Sequence, residues 1–144
     1  EKFLAKALEI FKEVIYVKAP QARRFMHGDM IFNRISENLG VFFPPAFIET
    51  YVISKGKRSE INIRTFLAER NMELIELSDA EQQNWGSSFV PLEPNVIINY
   101  DISLNELTKK RLQQRGVQII EFHPQALLAG GGSLLCLTLR LWRS

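Results

Sequence analysis

The sequence predicts an α/β fold made of strand-strand-helix-strand units, and three observations support this prediction. Short apolar runs typical of buried strands alternate with segments whose apolar residues recur at helical spacing. Residues 67–76 align without a gap on residues 112–121, so that a helix end, a residue suited to the left-handed conformation and a buried strand coincide in two copies. The length of 144 residues is that of one domain able to bury a core.

The apolar spacing of the first half predicts six regular elements. They are a helix over residues 3–12, strands over 13–17, 30–35 and 41–43, a helix over 60–70 and a strand over 72–77. Pro44-Pro45 ends the third of these strands, because proline cannot continue the hydrogen-bonded ladder. Residues 46–59 show no regular pattern and are predicted to be irregular.

The second half is predicted to repeat this order after a polar connection over residues 78–88. The predicted elements are strands over residues 89–92, 96–100, 117–122 and 136–142, and a short helical turn over 125–129. Ser103, with Glu106 three residues later, has the capping-box pattern and predicts the start of a helix that ends before Gly116. Two units with partial units at both ends indicate an incomplete circular array.

Composition excludes several classes of function. The net charge is +2 and no basic run is present, so we expect no nucleic acid partner. One cysteine and two histidines predict neither an internal disulfide nor a metal site, and we expect no cofactor. The apolar runs are too short to cross a membrane and no signal peptide is recognisable, so the predicted location is the cytoplasm.

The residues that indicate chemistry lie near opposite ends of the chain. The single cysteine, Cys136, follows the run Gly130-Gly131-Gly132-Ser133, and His27-Gly28-Asp29 lies more than a hundred residues upstream. A thiol attacks as its thiolate, which a nearby imidazolium or exposed backbone N–H groups stabilise. Glycines allow the backbone to approach a substrate closely. On this pattern alone, Cys136 is either a nucleophile or a small buried apolar side chain.

Four segments together resemble the arginine deiminase/amidinotransferase family, also called the guanidino-group-modifying or pentein superfamily. They are Arg24-Phe25-Met26-His27-Gly28-Asp29, Val96-Ile97-Ile98-Asn99-Tyr100-Asp101, Gly116-Val117-Gln118-Ile119-Ile120-Glu121 and the glycine-rich segment that ends at Cys136. The resemblance covers nearly the whole chain but only the C-terminal half of a typical member. It implies that residues 1–144 form one domain, part of a pentein α/β propeller whose N-terminal half is absent.

The resemblance also implies a mechanism and a role for each residue. Cys136 would attack the guanidinium carbon, and His27 would protonate the leaving amine and then activate water or an incoming amine. Asp29 would bind the guanidinium or orient His27, and Gly131, Gly132 and Ser133 would contact the substrate. A planar cation with several N–H donors suits fixed carboxylates.

Three functions remain open on the sequence. The first is a hydrolase acting on arginine, a methylarginine or agmatine, and the second is an amidinotransferase that uses an amine in place of water. The third is a non-catalytic pentein module that binds a partner. The predicted ligand is a guanidino small molecule, and the predicted protein partner is a second copy of the chain or a missing N-terminal half. The chain of 144 residues by itself is expected to be inactive.

Overall fold

The computed structural model of the protein describes residues 2–54 and 56–138, within which nine strands form three three-stranded sheets. The helices are α1 (Lys2–Ile10), α2 (Ile63–Ala68), α3 (Asp79–Gln83), α4 (Glu106–Gln113) and α5 (Gln125–Ala129). The strands are β1 (Val14–Lys18), β2 (Phe32–Arg34), β3 (Leu39–Phe42), β4 (Glu49–Ser54), β5 (Lys57–Glu60), β6 (Glu73–Glu76), β7 (Val90–Glu93), β8 (Val96–Tyr100) and β9 (Gln118–Phe122).

The strand-strand-helix-strand unit is present twice, as predicted. In the first unit β2 pairs antiparallel with β3, and β3 pairs parallel with β6 after the chain has passed through α2. In the second unit β7, β8, α4 and β9 repeat the same order and the same strand directions. Asn71 (φ 59°) and Gly116 (φ 77°) end the two helical segments in the left-handed conformation, so the aligned positions are equivalent in three dimensions.

The prediction that residues 46–59 are irregular is wrong, because they contain β4 and most of β5. The two strands form an antiparallel hairpin, and β4 also pairs antiparallel with β1 to make the third sheet. All residues of β5 are exposed and none is apolar, so apolar periodicity could not reveal this strand. The Arg58 guanidinium lies 3.6 Å from the centre of the Tyr51 ring on β4, which stabilises the hairpin through a cation–π contact.

Three predicted boundaries also need correction. Residues 28–30 form a 3-10 turn before β2, where a strand from residue 30 was predicted. The polar connection contains α3, which begins with a complete capping box between Ser78 and Glu81. The N-cap of α4 is Asn105, whose side chain accepts a hydrogen bond from the backbone N–H of Thr108 at 2.8 Å, and it is not Ser103.

The predicted last strand differs from the structure where it can be compared. Cys136 lies in a 3-10 turn, Leu135–Leu137, and not at the start of a strand. The remainder of that prediction, residues 139–142, lies outside the described residues.

One hydrophobic core joins the two units. Val41 and Ile75 from the first sheet pack in the same cluster as Ile97 of β8 and Leu112 of α4, and all four are almost completely buried. A second cluster packs α2 against β3 and β6. Across residues 2–54 and 56–138, no helix has the length and apolar character needed to cross a membrane.

Leu112→Ala should lower the free energy of unfolding by about 2–5 kcal/mol, because Leu112 is fully buried between the two units. Leu107→Ala on the same helix is the control, since Leu107 is 58% exposed, and it should change stability by about 0.5 kcal/mol or less. Urea denaturation measures both values. Equal losses would contradict the assignment of the core.

Asn105→Ala should destabilise the protein by about 0.5–2 kcal/mol, because it removes the acceptor for the Thr108 N–H group. Ser103→Ala should have a smaller effect, since among the described residues the Ser103 hydroxyl has no hydrogen-bond partner. Thermal and urea denaturation of the two variants can be compared directly. A larger loss for Ser103→Ala would show that α4 begins at the position expected from the capping-box pattern.

Candidate active site

A cleft of about 360 Å³ brings together five of the six residues singled out in the sequence. Cys136, His27, Gly131, Gly132 and Ser133 all line it. The remaining lining residues are Arg23, Arg24, Met26, Met30 and Trp85. Two segments from opposite ends of the chain therefore face one space of small-molecule size.

The Cys136 side of the cleft is built by a tight turn after α5. Gly131 adopts a φ of +70°, which a side chain would strain, and the chain then enters the 3-10 turn that carries Cys136. The Ser133 hydroxyl donates a hydrogen bond to Cys136 Sγ at 3.2 Å and accepts one from the Cys136 backbone N–H at 3.4 Å. Ser133 is 2% exposed, whereas Cys136 is an exposed free cysteine.

The opposite side of the cleft is the segment that carries His27. His27 is exposed and extended, and it lies between 3-10 turns at Arg23–Phe25 and Gly28–Met30. Its backbone carbonyl accepts a hydrogen bond from the Met30 N–H at 3.1 Å, which closes the second turn. His27 is therefore carried by a short segment of two 3-10 turns and not by a regular α-helix or β-strand.

Asp29 is not among the residues that line the cleft. Its carboxylate accepts a hydrogen bond from Ser88 Oγ at 2.8 Å. Its backbone carbonyl accepts a hydrogen bond from Ser87 Oγ at 2.7 Å, and it also lies 3.2 Å from Ser88 Oγ, whose single hydrogen it shares with the carboxylate. The Ser88 backbone carbonyl in turn accepts a hydrogen bond from the Leu135 N–H at 3.2 Å. Ser88 therefore contacts both the His27 segment and the Cys136 turn.

Residues 81–88 donate hydrogen bonds to the segment that carries His27. The sequence pattern predicted only a polar connection at these residues. Gln82 is completely buried, and its side-chain amide donates to the carbonyls of Arg24 at 2.8 Å and Met30 at 3.4 Å, at the two ends of the His27 segment. A Cβ at Gly86 would lie 2.9 Å from the Glu81 carbonyl oxygen, so the chain passes where only glycine fits. The signal that could have revealed this support is the Ser78-x-x-Glu81 capping box.

Tyr100 lies under the Cys136 turn. It is completely buried, packs in one cluster with Leu134 and Leu135, and meets the ring of the cleft residue Trp85 edge to face at 6.3 Å. Burial raises the pKa of Tyr100, and the negative charge of a Cys136 thiolate raises it further. The tyrosine therefore stays neutral, and its buried hydroxyl has no hydrogen-bond partner among the described residues.

The ionisable lining of the cleft is basic apart from Cys136. Arg23, Arg24 and His27 line it, and no Asp or Glu is among the described residues that do so. The Arg24 side chain donates to Asp79 at 2.7 Å, and its guanidinium lies 4.6 Å from the centre of the Phe25 ring, so Arg24 is held in place. This lining lacks the carboxylates that a guanidinium requires. Among the described residues, no group of three His, Cys, Asp or Glu side chains is arranged to bind a metal.

The fold is shared with solved structures of two proteins, ArgZ and AgrE. The N-terminal domain of ArgZ, an arginine dihydrolase from cyanobacteria, superposes with a TM-score of 0.68 at 22% identity, covering 97% of this chain and 45% of that one. AgrE bound to ornithine and NAD⁺ superposes with a TM-score of 0.61 at 22% identity, over 85% of this chain and 16% of that one. The chain therefore shares the mixed α/β fold of these two structures.

The sequence comparison is more specific. The family model described as arginine deiminase matches residues 1–143, and the chain belongs to the arginine deiminase family. The arginine deiminase of Mycoplasma capricolum is 28% identical over 150 residues, and that of Bacillus thuringiensis subsp. konkukian is 26% identical over 155. Each alignment covers 92% of this chain and 37% of the relative, so the chain spans little more than a third of the length of these proteins.

Asp79→Asn should destabilise the protein at pH 7 and have progressively less effect towards pH 2. The hydrogen bond from Arg24 holds the pKa of Asp79 below its usual value in the folded state. The stabilisation is therefore present above the unfolded pKa of about 3.9 and is lost as the pH falls through the lowered folded value.

Urea denaturation of wild type and variant at pH 7 and at low pH tests this expectation. Glu93→Gln is the control, since Glu93 is exposed and forms no ion pair among the described residues. A destabilisation by Asp79→Asn that stays constant across the pH range would show that the Arg24–Asp79 pair does not contribute.

Proposed function

We propose that the protein carrying this chain hydrolyses a guanidino compound of the arginine type, with Cys136 as the nucleophile and His27 as the general acid and base. The observation that carries the proposal is the shared cleft, into which both residues are brought although the sequence separates them by more than a hundred positions. Membership of the arginine deiminase family supports the same reaction class. A nucleophile and an acid that face one cavity satisfy the first geometric requirement for acting on one carbon.

The proposed reaction has two steps. The Cys136 thiolate attacks the guanidinium carbon and forms a C–S bond, while one C–N bond breaks and the amine leaves with a proton from the His27 imidazolium. Neutral His27 then accepts a proton from water as the water oxygen attacks the same carbon. The C–S bond breaks, which releases a ureido product and restores the thiolate. The overall change replaces one nitrogen by oxygen and releases ammonia, without an oxidant or a metal ion.

The guanidinium itself needs acidic partners that the described lining does not contain. Asp29, predicted to bind the guanidinium or to orient His27, is not a lining residue, and its carboxylate accepts a hydrogen bond from Ser88. We therefore assign the missing carboxylates to sequence beyond this chain, in agreement with its coverage of 37% of the curated relatives. In this proposal residues 1–144 are the C-terminal portion of a pentein catalytic domain, and the two units belong to a propeller that the remaining sequence completes.

Exposed apolar side chains support the same assignment. Phe3 and Ile10 of α1 are 86% and 77% exposed, and Ile15 and Tyr16 of β1 are also exposed. Large apolar groups concentrated on neighbouring elements mark a surface that a partner covers. The proposed partner is the remainder of the same domain, and self-association of the chain is the alternative that light scattering would distinguish.

Cys136→Ser should abolish formation of the ureido product, and His27→Ala should lower kcat by about 10²–10⁴-fold, because a hydroxyl is a poor nucleophile and general acid catalysis is lost. The assay follows ammonia and ureido product from arginine, agmatine and Nω-methylarginine, using the protein with all sequence that its gene encodes. Acid quenching followed by mass spectrometry should recover a covalent adduct on the peptide that carries Cys136.

His123→Ala is the matched control, since His123 is the other histidine of the chain and pairs with Asp101 at 3.1 Å outside the cleft. It should leave turnover unchanged. A Cys136→Ser variant that retains most of its activity would exclude the covalent mechanism. Transfer of the amidino group to an added amine would identify an amidinotransferase, and ligand binding without any turnover would identify a binding module.

A further inference from the structure

We propose that Ser133 is a positioning residue for the Cys136 sulfur, and that its hydroxyl stabilises the thiolate instead of contacting the substrate. The proposal deepens the function proposed above and rests on it for its catalytic meaning. Its basis is the contact between Ser133 Oγ and Cys136 Sγ at 3.2 Å. Among the described residues, Ser133 is the hydrogen-bond donor to this sulfur.

The hydrogen bonds of the hydroxyl define its direction. A serine hydroxyl has one O–H donor and two acceptor lone pairs. The Cys136 backbone N–H uses one lone pair at 3.4 Å, and the single O–H is directed to the sulfur of the same residue. Ser133 therefore holds both the backbone and the side chain of Cys136, and while it does so it has no second hydrogen to offer a substrate.

Burial separates the two partners of this contact. Ser133 is 2% exposed whereas Cys136 is exposed, so at this edge of the cleft the hydroxyl belongs to a buried side chain and the sulfur to an exposed one. Water competes weakly for a buried hydroxyl, which makes its hydrogen bond to the sulfur persistent. The outer face of the sulfur remains open for attack on a ligand in the cleft.

The local backbone explains why residues three apart meet in this way. Gly131, at φ +70°, reverses the chain after α5, and the turn from Ser133 to Cys136 places the two side chains on the same side. A hydrogen bond to an anion favours the ionised form of the group, and for a thiol this means a lower pKa. The proton released from the sulfur passes to solvent or to His27 across the cleft.

The test measures ionisation of Cys136 directly. The rate of alkylation by iodoacetamide is followed from pH 5 to pH 10, by mass spectrometry of the peptide that carries Cys136. Ser133→Ala should raise the midpoint of this profile by about one pH unit, because the thiolate loses a hydrogen bond to a charged group. Ser133→Thr, which keeps the hydroxyl, should restore the wild-type midpoint.

Thr138→Val is the matched control for a hydroxyl close to the same cysteine. The Thr138 hydroxyl donates to the Leu135 carbonyl at 3.0 Å and not to the sulfur, so its removal should leave the midpoint unchanged. If Ser133→Ala fails to fold, the comparison of Ser133→Val with Ser133→Thr replaces it, because these side chains have nearly the same shape and differ in the hydroxyl. A midpoint unchanged by loss of the Ser133 hydroxyl would overturn the proposal.

The alkylation profile requires neither substrate nor turnover, so the two proposals fail separately. A shifted midpoint in a protein that does not convert any guanidino compound would contradict the proposed hydrolase and leave the role of Ser133 intact. An unshifted midpoint in an active enzyme would contradict the role of Ser133 alone.

Discussion

The hydrogen bonds from Ser87 and Ser88 to the backbone carbonyl of Asp29 are the contacts on which the geometry of the cleft depends. Both serines are completely buried, and a buried carbonyl or hydroxyl that loses its partner destabilises the folded state by about 1–3 kcal/mol. These contacts therefore fix the segment that carries His27. Because the Ser88 carbonyl also accepts from the Leu135 N–H, the same residue fixes the Cys136 turn. The relative position of the two segments that carry His27 and Cys136 is thus set by a third segment.

This support differs in kind from the core that stabilises the two repeated units. The core is apolar and tolerates changes in shape that keep its volume, whereas residues 81–88 act through directed hydrogen bonds whose partners must be in register. Glu81 shows the same property. Its carboxylate accepts from the Ser78 N–H at 2.8 Å and from the Asn105 N–H at 3.1 Å, so it joins the starts of α3 and α4 while being almost completely buried. The apolar clusters make the fold stable, and these polar contacts specify where the cleft residues lie.

The sequence predicted those parts of the fold in which a single physical signal dominates. The unit containing β8, α4 and β9 follows from apolar spacing and a left-handed Gly116, and the cleft residues follow from their motifs. β5 was missed because an exposed strand without apolar residues has no periodicity to detect. Ser103 was predicted as the N-cap because Glu106 three residues later completes a capping-box pattern. In the structure the Ser103 N–H closes a turn to the Tyr100 carbonyl, and the helix starts after Asn105. The role of residues 81–88 was hidden because partners distant in sequence define it.

The pairing of β1 with β4 has a consequence for the local stability of the protein. The second unit forms from contacts close in sequence, whereas pairing of β1 with β4 closes a loop that contains the whole His27 segment. Closing such a loop costs chain entropy. Because Ile15 and Tyr16 of β1 are also exposed, we expect this sheet to open more readily than the second unit, in which Ile97 is completely buried. Amide hydrogens in β8 and β9 should then exchange with solvent more slowly than those in β1 and β4. Opening of β1 and β4 would then release the segment that carries His27, although among the described residues neither strand contributes a side chain to the cleft.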